Sequence, residues 1–270
     1  MILALLIRAS ISAGIVAAAA VAAQRLGPLW GGLLAALPVS AGPAYAMLGM
    51  SHSAAFVGQA ATNGLGANAA TAVFLFILIH AVPRLGMLWA LALASLGWMG
   101  LTVGVLAWAP GFWPATGLNV LCYGLAILGT RGAVDAGPPA MARAARWWEL
   151  PLRSIVLGLL VASLVSFSSA LGPVWTGAGA VYPVGLTTLT LVAVPRMGRA
   201  GAAALLAGAL RGMPGFVLFM MVLAMGAEAL GVAGALALGV VASLGWGALV
   251  LGVRRRQAPA RRPQDRHSRR

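Results

Sequence analysis

The sequence predicts an all-α, polytopic membrane protein of about nine transmembrane helices, built as two inverted four-helix repeats with Pro/Gly-broken second helices. Three observations carry that prediction. The first is solvent preference: of 270 residues, 61% are hydrophobic and 8% charged, against roughly 25% charged in soluble domains. The second is run length. The apolar stretches reach the ~20 residues a helix needs to cross a ~30 Å hydrocarbon core, and the ~10-residue alternating segments of a membrane barrel are not seen. The third is internal repetition. Leu26-Gly27-Pro28-Leu29-Trp30 returns as Leu171-Gly172-Pro173-Val174-Trp175, an offset of 145 that also carries Gly32 onto Gly177 and Pro38 onto Pro183. Ala94-Ser95-Leu96-Gly97-Trp98 returns as Ala242-Ser243-Leu244-Gly245-Trp246 at an offset of 148. Two echoes in the same order mark a duplication.

The first apolar run, 2–23, holds Arg8 inside it. A signal peptide carries its charge before the apolar stretch, so a retained first helix is expected. Further spans are expected at 28–48, 57–81, 86–108, 112–131, 153–170, 174–195, 200–226 and 230–252. Residues 1–110 then form the first repeat, 111–131 a connecting helix, 132–151 a cytoplasmic linker, and 152–253 the second repeat. Residues 254–270 make a basic tail in which Pro259 and Pro263 disfavour helix, so disorder is expected. Arginines fall on alternate connections (Arg25, Arg84, Arg131 to Arg153, Arg196 with Arg199, then the tail). The positive-inside rule therefore places the amino terminus outside and the carboxyl terminus in the cytoplasm. An odd number of spans separates the starts of the copies, so they enter the membrane from opposite sides, as in many secondary transporters.

The net charge of +14 comes entirely from arginine, much of it in the tail and the rest largely flanking apolar spans. It reads as topology and attraction to membrane lipids, not as nucleic-acid binding. The single cysteine, Cys122, excludes an internal disulfide and a thiolate metal cluster. His52, His80 and His267 have no metal-ligand spacing. The acidic residues Asp135, Glu149, Glu228 and Asp265 all avoid the middle of a span, which disfavours a carboxylate proton relay. No catalytic residue, cofactor or metal is expected, and an enzyme is disfavoured.

Pro38, Gly42 and Pro43 interrupt the second span, and Pro183 and Gly185 the seventh. A proline removes a backbone donor, and in hydrocarbon the freed carbonyls need a partner or a water-lined cavity. Matched breaks point to a binding site near the midplane. Ser40 is placed to cap one half-helix, and Thr187 and Thr188 follow the other break. Helix N-termini favour an anion. Arg211 lies about eleven residues into its span, ~17 Å deep at ~1.5 Å per residue, where an arginine costs at least ~2.5 kcal/mol. It is a candidate partner for a negative group; the plainer alternative is a clamp on carbonyls loosened by Pro214. Asn63 and Asn68 share the matching stretch of the first copy, and Asn119 is expected to join them. Their plainer role is interhelical hydrogen bonding, worth ~0.6 kcal/mol each. Trp30, Trp98, Trp175 and Trp246 read as belt or core residues.

The pairing of Gly32-Leu33 with Pro38, and of Gly177 with Pro183, inside a four-helix unit resembles the small bacterial inner-membrane proteins of the GlpM type. The resemblance covers one helix of each copy. It implies a bacterial inner-membrane protein of fused four-helix units and brings no activity with it. The expected function is a secondary transporter or facilitator for a small anionic or amphipathic solute or a lipid headgroup. Arg211 would meet the negative group, while Ser40, Asn63, Asn68, Thr187 and Thr188 line the path. The alternative is a non-transporting membrane scaffold or assembly factor.

Overall fold

The computed structural model describes residues 41–133 and 149–257. The first apolar run, Pro38, Ser40, most of the expected linker and residues 258–270 of the tail lie outside the described residues. Those described form helices α1 (Ala41–Ser51), α2 (Ala54–Leu85), α3 (Met87–Trp108), α4 (Phe112–Gly129), α5 (Glu149–Ala180), α6 (Val184–Gly212) and α7 (Pro214–Gln257). A 3-10 turn, Arg131–Ala133, follows α4, and no strand occurs among the described residues. Four stretches are long and apolar enough to cross a membrane: α2, α3, α4 and the run Gly158–Val253. That agrees with an all-helical membrane protein.

α2 is the core element. Ser53 caps it by accepting from Phe56 N at 3.3 Å, and Gly86, at φ 82, ends it. Its 32 residues extend ~48 Å at ~1.5 Å per residue, well beyond a ~30 Å bilayer core, so the helix must tilt or emerge. It packs against α3, α4, α5, α6 and α7, and Leu65, Phe74, Leu75 and Leu78 are fully buried. α3 and α4 expose most of their apolar surface, as lipid-facing helices do. Small residues let backbones meet at the centre. A Cβ on Gly177 of α5 would overlap the Ala60 carbonyl of α2, and one on Gly64 would lie 2.9 Å from Gly177 O. Buried Tyr45 of α1 donates to the same Ala60 carbonyl at 3.1 Å, so three helices share one backbone contact.

The interruption at Pro183 falls where it was expected, and the others differ. α5 runs past residue 170 to Gly172 (φ 66) and continues helically to Ala180. The span expected at 174–195 is two helices, because Val181–Pro183 is not helical and α6 starts at Val184. The span expected at 200–226 bends at Pro214 without unwinding, since Met213 keeps φ −59 and ψ −28. Gly42 and Pro43, expected at a break, lie within the helical run Ala41–Ser51, proline's fixed φ being compatible with helix. Gly198 (φ 74) and Gly231 (φ 70) redirect α6 and α7, where any side chain would be strained.

If the α2–α5 contact organises the bundle, Gly177→Leu must push backbones apart. It should destabilise the chain by at least ~2 kcal/mol, read as a lowered unfolding midpoint in detergent micelles. Gly245→Leu, at a site with open space, should leave the midpoint in place; equal behaviour of the two variants would remove the contact from the fold's foundations.

Candidate functional site

The break at Val181–Pro183 is the main interruption of backbone pairing inside a described span. Val181 N donates to Ala178 O at 3.2 Å and Tyr182 N to Gly179 O at 3.3 Å, closing the end of α5. Pro183 has no N–H with which to continue the ladder. On the far side, Pro183 O accepts from Thr187 N at 2.9 Å and from the Thr187 hydroxyl at 3.0 Å. Thr188 Oγ1 donates to Val184 O and Gly185 O, both at 3.0 Å. The threonine protons are thus directed to the first turn of α6. Helix from Pro173 to Ala180 covers ~12 Å and from Val184 to Met197 ~21 Å, so regular helix flanks the break on both sides.

Ser95 and Trp98 of α3 meet this break through Tyr182. Ser95, Trp98 and Thr102 sit at i, i+3 and i+7 and so project together. The Trp98 ring meets Tyr182 edge-on, with centroids 5.0 Å apart, and its Nε1 donates to Thr71 Oγ1 of α2 at 3.1 Å. Ser95 Oγ is 3.4 Å from Tyr182 Oη. One turn beyond, Thr102 is 3% exposed, and its Oγ1 is the buried side-chain polar atom left without a partner among the described residues. Buried polar groups are nearly always satisfied, so this hydroxyl marks a place suited to a water or a solute's polar group.

The asparagines do something else. Asn68 Nδ2 donates to Asn119 Oδ1 at 2.9 Å, and Asn119 Nδ2 donates to Leu65 O at 2.6 Å and Ala115 O at 2.8 Å. Tyr123 Oη lies 3.5 Å from both Asn68 oxygens. Asn119 therefore joins Asn68, in a closed buried lock between α2 and α4. Asn63 stands apart, half-exposed, donating to Gln59 O at 2.8 Å within α2. Arg211, half-buried near the end of α6, donates from Nη1 to Ala207 O at 2.8 Å. Its own carbonyl lies just before Pro214 and accepts from Trp246 Nε1 at 3.1 Å. Trp98 and Trp246, the matched tryptophans, are thus hydrogen-bonding residues as well as packing ones. At the connection between α1 and α2, His52 Nε2 is 2.7 Å from Ser168 Oγ of α5 and stacks on Phe56.

Of the residues expected at a site, Pro183 lies in the break, Gly185, Thr187 and Thr188 lie in the first turns of α6 behind it, Arg211 lies at the other end of α6, and Asn63 and Asn68 bond elsewhere. Tyr182, Ser95, Thr71 and Thr102 were missed. The i, i+3, i+7 spacing on α3 and the tyrosine before Pro183 were the available signals. Among the described residues no group of three His, Cys, Asp or Glu side chains is placed to hold a metal. No family model matches the sequence, and no curated protein or solved structure is similar to it.

Replacing Asn119 with leucine leaves the Asn68 amide without its acceptor and removes the second bond to the Leu65 carbonyl, and should cost ~1–2 kcal/mol. In a double-mutant cycle with Asn68→Leu, unfolding in micelles should show a coupling of at least ~0.5 kcal/mol; additive effects would mean the lock does not hold α2 to α4.

Proposed function

We propose that this chain is a secondary transporter or facilitator of a bacterial inner membrane, moving a small anionic or amphipathic solute or a lipid headgroup. The carrying observation is the break at Val181–Pro183, met by Ser95 and Trp98 of α3, with the unsatisfied Thr102 hydroxyl further along the same helix face. Non-helical backbone at membrane depth belongs where protein buries it or a cavity reaches it, and interrupted helices are where transporters hold their cargo. The threonine oxygens keep lone pairs for a donor. Arg211 and the break lie about equally far along helix from Gly198, ~20 Å on each side, which suits a negative group held between them.

The same reading includes nine spans, two inverted repeats, an outside amino terminus and a cytoplasmic carboxyl terminus. Several features support it. Ser53 and Gly86 bound α2, and 145 residues later Gly198 and Gly231 bound the matching segment. Gly86 (φ 82, ψ 174) and Gly231 (φ 70, ψ 158) share one unusual conformation. Arg199 reaches the Gly86 turn, so two arginine-bearing connections meet at one end. The His52–Ser168 contact joins two connections without arginine at the other. The alternative, a scaffold, is favoured by the Asn68–Asn119 lock, which commits both side chains to contacts between helices.

Cysteine accessibility separates the two. In a Cys122→Ser background, single cysteines at Thr102, Tyr182 and Arg211 should react with a membrane-impermeant thiol reagent from at least one side, tested in cells and in inverted vesicles. If only an exposed control such as Met50→Cys reacts, the interior is dry and the scaffold reading replaces transport.

A further inference from the structure

Arginine-bearing turns far apart in the chain converge at one end of the bundle. α2 closes with Arg84, whose Nη1 donates back to His80 O at 2.7 Å. Arg199 follows the Gly198 turn of α6 and lies across the junction of α2 and α3, its Nη2 3.3 Å from where a Cβ on Gly86 would stand. Gly86, at φ 82, is both the turn and the gap through which the side chain approaches. The 3-10 turn Arg131–Ala133 also packs against α6. Arg84, Arg131 and Arg199 are exposed, and among the described residues none of the three has a carboxylate partner. Glu228, the acidic side chain described here, lies beside Gly58 near the opposite end of α2. Next to the arginines, Leu85, Leu88 and Trp89 present apolar surface, 53%, 71% and 74% exposed.

We infer that the α2–α3 junction and the Gly198 turn together form a binding site for an anionic phospholipid, with Arg84 and Arg199 holding its phosphate. Leu85, Leu88 and Trp89 receive the glycerol and upper acyl chains. Topology alone asks that connections on one side be positive; it does not ask that two of them converge over an apolar wall. Guanidinium forks match phosphate oxygens in pairs. Basic pockets between membrane helices select anionic headgroups, and an exposed tryptophan at this level suits the headgroup boundary. The site is separate from the break in α5–α6 and does not depend on transport.

The test uses the full-length protein in detergent micelles, incubated with phosphatidylglycerol or phosphatidylcholine of identical acyl chains, with bound lipid counted by native mass spectrometry. Phosphatidylglycerol should be retained in preference to phosphatidylcholine. Arg84→Gln/Arg199→Gln should lower the phosphatidylglycerol-bound fraction at least fivefold, and Arg261→Gln/Arg262→Gln in the tail should leave it unchanged. Equal retention of the two lipids, or an equal loss in the tail variant, overturns the site. Should the double variant fail to fold, Arg199→Gln alone reads the same interaction. At least a twofold loss of bound phosphatidylglycerol supports the site, and no loss overturns it.

Discussion

In hydrocarbon an unpaired backbone group has no water to turn to, so each place where proline or glycine disturbs a helix must be answered from another part of the chain. The arrangement of this bundle follows from those answers. Trp246 of α7 supplies the donor for the Arg211 carbonyl beside Pro214. Thr187 answers the Pro183 carbonyl from within α6. Tyr45 of α1 reaches across to Ala60 of α2, and Asn119 of α4 reaches Leu65. Each bond crosses between elements or closes a break, and each fixes a helix relative to its neighbours.

Such bonds require short distances, which glycine provides. Gly177 and Gly64 bring α5 and α2 into backbone contact, where dispersion between close-packed chains replaces the hydrophobic drive that a lipid solvent removes. α2 is therefore surrounded while α3 and α4 face outward. The length of α2, far beyond what a crossing needs, lets it touch all six other described helices along its course.

Polar residues inside the bundle divide into two kinds. Asn68, Asn119 and Tyr123 satisfy one another completely and stiffen the α2–α4 pair. Along one face of α3 the pairing is incomplete: a serine 3.4 Å from the Tyr182 hydroxyl and, two turns on, the buried Thr102 hydroxyl without a partner among the described residues. A closed network resists exchange with water, whereas an open one has capacity for another molecule. That difference is why the proposed path follows α3 and the break rather than the asparagines.

Composition and run length were enough to predict apolar helices of membrane-crossing length, because they reflect a transfer free energy that acts on each segment independently of its neighbours. The edges of α2, α3 and α4 were legible for the same reason, marked by Ser53, Gly86 and the Ala109–Gly111 connection. Pro183 announced a break, since a missing N–H is local chemistry. Whether a break opens or merely bends was not legible. Pro214 and Pro183 look alike in sequence, yet Met213 stays helical because Trp246 and the preceding turn answer the freed carbonyls, while Val181–Pro183 unwinds. The pairing of Asn68 with Asn119 but not Asn63, and the meeting of Arg199 with Gly86, likewise depend on which helices lie side by side. Those are decisions of packing between distant segments, made only when the whole chain is assembled.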